Sequence, residues 1–125
     1  MTFARWVFRS AAVYGVLVLL PMYFLELQIG RDQPPPITHP EFFYGFVGVA
    51  LAWQFIFWLI GSDPQRYRPL MPVAVLEKAA FSIAAFILFA QGRIHLQMLL
   101  AGSMDFILGC LFIISFWLTA KNVDS

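Results

Sequence analysis

Lys78 and Asp105 are charged residues set inside long apolar runs of the chain. An ionisable side chain in such a run is a functional candidate by default, because lipid solvates charge poorly. Gln54 and Tyr14 fall inside two further apolar runs. Counting about 1.5 Å per residue from the connecting segments puts all four groups about 20 Å from one end of their helices. Lys78 lies in a stripe of small residues (Ala74, Ser82, Ala85), and Asp105 lies in another (Gly102, Gly109). Small residues let membrane helices approach closely, so the two charges are expected to meet. Such a pair has two available roles. It is either a structural clamp fixing helix register, with Gln54 and Tyr14 as hydrogen-bond partners, or the edge of a small polar pocket that binds a ligand or relays protons. Glu77 points about 100° away from Lys78 on its helix and is expected to pair with Arg9 or to reach the surface. Gln54 stands opposite a Gly45, Gly48, Ala52 face, and only one of those faces can point inward.

The rest of the chemistry is narrow. Cys110 is the single cysteine, which excludes an intramolecular disulfide, a CxxC redox pair and a thiolate zinc site. Placed inside an apolar run, it is expected to be a small packing residue. His39 and His95 lie near Glu26 and Glu41 at one boundary, where imidazole and carboxylate are suitable zinc ligands. No spacing enforces a metal site, and the expectation is interfacial polar residues with no metal and no cofactor. No phosphate-binding glycine loop and no placeable catalytic set is present, so enzymatic activity is not expected.

The elements that must position these groups follow from composition. Of 125 residues, 61% are hydrophobic and only 12% charged, about half the charged share usual in soluble domains. Mean hydropathy is +0.77. These values exclude a disordered chain, a nucleic-acid binder and an ordinary soluble domain. About 20 apolar residues span a bilayer as a helix, and four such stretches run over about 4–27, 42–61, 73–91 and 94–120. The fold class predicted is all-α: an integral membrane four-helix bundle, antiparallel up-down-up-down, forming one domain over 1–125. The first run has no pair of small residues for signal cleavage after Leu20 and is expected to stay as a span. Residues 30–37, with Pro34, Pro35 and Pro36, are expected to be stiff and extended, and Thr38 to Glu41 has capping-box spacing.

Arg5, Arg9, Arg66, Arg68 and Lys121 fall on one side of these spans, and Arg31 and Arg93 on the other. By the excess of basic residues, both termini are expected in the cytoplasm. Arg66, Tyr67 and Arg68 form an interfacial loop that either sets topology or contacts lipid phosphate or a protein partner. The four spans, the N-terminal arginines and the Glu41, Gly45, Gly48 opening of the second helix resemble the DoxX-like group of small bacterial four-helix inner-membrane proteins. The likeness extends over the whole chain at the level of topology. It implies the fold and a bacterial inner (plasma) membrane, and no shared catalytic residues. The functions expected are, first, a non-enzymatic accessory or assembly subunit packing against a membrane partner or a second copy. Second comes a binding protein or carrier for a small lipophilic ligand or quinone around Lys78 and Asp105. Third is an oligomeric channel or proton-coupled transporter. The lipid bilayer is the constant partner, and nucleic acid is not one.

Overall fold

A computed structural model describes residues 3–119. All regular structure among them is helical: α1 Phe3–Met22, α2 Glu26–Asp32, α3 Pro40–Ser62, α4 Met71–Ala90 and α5 Leu96–Thr119, with a 3₁₀ turn Arg68–Leu70 leading into α4. Helices α1, α3 and α5, and the Arg68–Ala90 stretch containing α4, are long and apolar enough to cross a membrane. The helical choice follows from lipid, which offers the backbone no hydrogen-bond partners. Ala120 and Lys121, counted above in the fourth span and in the charge bias, lie outside the described residues.

Three local expectations are corrected at the α1–α3 connection. The first apolar helix ends at Met22 rather than Leu27. Pro21 lacks an N–H and crowds the preceding turn. The chain there tightens into i→i−3 bonds, Phe24 N to Pro21 O at 2.9 Å and Leu25 N to Met22 O at 3.1 Å. Gly30 to Asp32 are helical in α2 rather than extended, supported by Gln28 Nε2 donating to Asp32 Oδ1 at 2.9 Å. The capping box is also absent. Helix α3 begins at Pro40, with His39 as its N-cap and no side-chain capping bond. Proline at the first helical position needs no capped N–H.

The turn between α4 and α5 is set by glycine. Gly92 has φ +72°, the left-handed geometry that a Cβ disfavours. Gly92 N bonds Phe89 O at 2.9 Å and Arg93 N bonds Leu88 O at 2.8 Å. These are the two bonds of a Schellman ending, which satisfy otherwise orphaned carbonyls.

Packing divides the bundle into two pairs, α1 with α3 and α4 with α5, joined mainly through α1 and α5. Close approach explains each pair. A Cβ at Gly102 would lie 2.5 Å from Ala85 Cβ, and one at Gly109 would lie 3.4 Å from Lys78 Cβ. On the other side, a Cβ at Gly15 would overlap the Gln54 amide. One end of the core is a knot of three fully buried rings. Phe8 and Phe112 stack at 4.1 Å, and Phe57 meets Phe112 edge-on at 5.1 Å. Ile60 and Met71 close that end with no exposed surface.

Candidate functional site

Lys78 rises from the small-residue stripe of α4 and is almost fully buried. Its Nζ lies 3.5 Å from Asp105 Oδ1 on α5 and 3.7 Å from Glu77 Oε1. It also sits 4.9 Å from the centroid of the Phe57 ring, at the edge of the aromatic knot. Carboxylates on two sides and a ring on a third occupy the directions in which an ammonium donates. The formal charge of the trio is negative, two carboxylates against one ammonium. Both carboxylate side chains are 19% exposed.

Glu77 therefore departs from its expected place. It turns back to Lys78, and Arg9 instead lies over the Trp58 ring at 4.7 Å. The reason is tertiary. Helices α3 and α4 hold their backbones apart, and Glu77 lines the groove between them rather than a packed helix seam. Two methylenes give its carboxylate the reach to turn inward.

Tyr14, Gln54, Glu77, Lys78 and Asp105 line one cavity of about 130 Å³. Its apolar wall includes Leu19, Met22, Phe46 and Phe81. That volume is close to the roughly 150 Å³ engineered cavity that accepts benzene. All four sequence-selected polar residues thus border the same space. Gln54 settles which face of α3 turns inward: it is 2% exposed, while Gly45 and Ala52 are exposed. Its Nε2 donates to Ala50 O at 2.7 Å, a bond that leaves Oε1 against Gly15. That oxygen and Glu77 Oε1 are both buried without a hydrogen-bond partner.

The gap between α3 and α4 forms a lateral groove of about 410 Å³, lined by Gly45, Trp53, Ala80 and Ala84 among others. Phe46, Ala50, Glu77 and Phe81 line both the groove and the cavity. Phe46 and Phe81, with centroids 5.8 Å apart, are the ring contact that bridges the two helices there. Glu77 thus stands at the junction between an inner polar cavity and a groove facing outward between helices.

The remaining candidates are dispersed. Arg68 is not a free interfacial cation: its Nε donates to Phe116 O at 3.1 Å and its guanidinium lies 3.6 Å over the Phe116 ring. It thereby satisfies a carbonyl in the last turn of α5, where a cation also complements the helix dipole. Arg66 is exposed and lies 5.4 Å over the Tyr67 ring, and Tyr67 packs on the core. Cys110 points outward from α5 rather than filling the interior. Glu26 accepts from Tyr44 at 2.9 Å, His39 Nδ1 meets Glu41 at 3.4 Å, and His95 Nε2 donates to Pro34 O at 2.7 Å. Those four boundary groups divide among three separate contacts, and among the described residues no three His, Cys, Asp or Glu side chains converge on a metal position.

Sequence reasoning missed Glu77, Gly15 and the aromatic pair Phe46 and Phe81 as parts of this site. Glu77 adjoins Lys78, and that adjacency was the one available signal. Comparison of the chain with protein-family models, curated proteins and solved structures finds no match.

Proposed function

We propose that this chain is a multi-pass membrane protein that binds or carries a small lipophilic molecule with a polar head. The observation that carries the reading is the convergence of Tyr14, Gln54, Lys78 and Asp105 on one cavity that adjoins a groove between α3 and α4. Ligand sites are mostly apolar with a few fixed polar groups, and this cavity has that composition. A lipophile dissolved in the bilayer reaches the groove laterally, without crossing water. Its apolar body lies between Phe46, Trp53 and Phe81, while its head meets the polar layer. The Lys78–Asp105 ion pair then both holds α4 to α5 and supplies charge to the site. In this reading the bundle runs up-down-up-down with both termini in the cytoplasm. The resemblance to DoxX-like proteins supports a bacterial inner membrane.

Filling the cavity tests the proposal. Ala50 borders both spaces, so Ala50→Phe occupies the junction. Protein purified in lipid nanodiscs and extracted for mass spectrometry is expected to carry a small molecule that the Ala50→Phe protein lacks. Identical small-molecule profiles from two equally monodisperse preparations would reject the reading.

A second reading has its own support. Gly45 and Ala52 present small residues on the outer face of α3, and a Cβ at Gly45 would meet nothing within 4 Å. Such a face allows a further helix to approach closely, as in an accessory or assembly subunit bound to a membrane partner or to a second copy. A protein copurifying at fixed stoichiometry, and lost in Gly45→Leu, is the result that favours it.

A further inference from the structure

We propose that the head group taken by this cavity is a cationic amine, so that the ligand is an amphiphile with a protonated nitrogen rather than a neutral or acidic lipophile. The inference rests on the binding reading above and names its ligand class. It comes from the balance of donors and acceptors at the site. Lys78 is the one cation facing two carboxylates, at 3.5 Å from Asp105 and 3.7 Å from Glu77. Its donors are directed to those oxygens and to the Phe57 ring. Gln54 Oε1 nevertheless remains buried and unpartnered, and Glu77 Oε1, whose ion pair with Lys78 is 3.7 Å long, has no partner at hydrogen-bond distance. Gln54 is 2% exposed, and its amide nitrogen is already committed to Ala50 O. The cavity lining therefore holds more acceptors than donors and, with both carboxylates ionised, more negative than positive charge. A buried acceptor left unpaired is costly, more so when charged, so a ligand that supplies the donor is favoured.

An ammonium head satisfies both deficits. It donates to Glu77 and Gln54 and completes a two-to-two charge balance with Lys78. The walls suit it as well. Phe46 and Phe81 line both the cavity and the groove beside Glu77, and Trp53 lines the groove. Aromatic faces attract cations, most strongly when water is excluded. A neutral carbonyl head, as in a quinone, brings further acceptors to a site that already has unpaired ones. A carboxylate head adds a third negative charge.

Equilibrium dialysis of n-octylamine and n-octanol against the full chain in phosphatidylcholine nanodiscs tests this, with retention by empty discs subtracted. The two probes share an alkyl chain and differ in the head. Octylamine is expected to bind about tenfold more tightly than octanol, the ratio that about 1.4 kcal/mol of charge-assisted and cation–π contact gives. In Glu77→Gln the preference is expected to shrink to within about threefold, since one carboxylate is removed without changing shape. Equal retention of both probes by the unmodified chain, with both lost in Ala50→Phe, would overturn the amine assignment and leave the cavity reading standing. That is the pattern of a cavity whose surplus charge is quenched by a proton on Glu77. Retention of neither probe, or retention unchanged by Ala50→Phe, would overturn both. Should Glu77→Gln fail to fold, the ratio measured on the unmodified chain decides alone.

Discussion

The two ends of this bundle solve opposite problems with the same helices. Around Phe8, Phe57 and Phe112 three rings close on one another at 4.1 to 6.2 Å with no exposed surface. Around Lys78 the helices instead leave a cavity and two buried acceptors without hydrogen-bond partners, beside two carboxylates that share one ammonium. Between helices in lipid there is no hydrophobic driving force, because lipid tails are as apolar as leucine. Close packing and ring contacts must therefore hold the helices together. The aromatic knot does so across α1, α3 and α5, and Lys78 touches it through Phe57. The comparison teaches that the cavity end tolerates incomplete packing because the knot end does not.

If that division is right, the greatest loss of stability should come from the knot. Phe112→Ala removes both the Phe8 stack and the Phe57 edge contact. It is expected to cost about 3–5 kcal/mol, read as a lowered thermal midpoint in detergent. A cost near zero would erase the distinction between the two ends.

At the cavity end, the Lys78–Asp105 pair should come next. Lys78→Met leaves two carboxylates without their counter-charge, with an expected cost of about 3 kcal/mol, whereas Asp105→Asn leaves Lys78 paired with Glu77 and is expected to cost less. The double variant is expected to recover part of the Lys78→Met loss, because it leaves one carboxylate without a counter-charge rather than two. Purely additive costs, measured as a double-mutant cycle in thermal unfolding, would show that the pair is not a unit.

A smaller effect is expected where the two ends meet. Gly15→Ala drives a Cβ into the Gln54 amide and should cost about 1–3 kcal/mol by overpacking. It should also displace Gln54 and reduce amine retention. Unchanged stability and unchanged retention would remove Gln54 from the site. The smallest effect belongs to the outer face of α3. A Cβ at Gly45 meets nothing, so Gly45→Ala should raise stability by up to about 1 kcal/mol through helix propensity. A clear loss of stability in the purified protein would instead show that this face is packed against a second copy.

How much of the site was legible from sequence differs residue by residue. Lys78 and Asp105 stood out because charge within apolar sequence is rare, and their small-residue stripes already suggested that α4 and α5 touch. Gln54 was legible as polar but not as inward, because its helix offers two opposite faces and both satisfy the pattern. Glu77 was assigned away from Lys78 because direction on a helix was read without knowing that α3 and α4 stand apart and leave a groove beside it. The contact of Arg68 with Phe116 in the last turn of α5 was not legible, since nothing in its local sequence signals it.

By itself the sequence determined four helices long and apolar enough to cross a membrane, and the few charges that a membrane makes expensive. Those are properties of each segment alone, fixed by its transfer from water to lipid. The tertiary structure decided which face of α3 turns inward, that α3 and α4 stay apart, and that Glu77 joins Lys78 at the resulting junction. Hydropathy is blind to helix rotation when lipid and protein interior are equally apolar. Only steric fit between neighbours, such as Gly15 beneath Gln54 and Gly102 against Ala85, could make those choices.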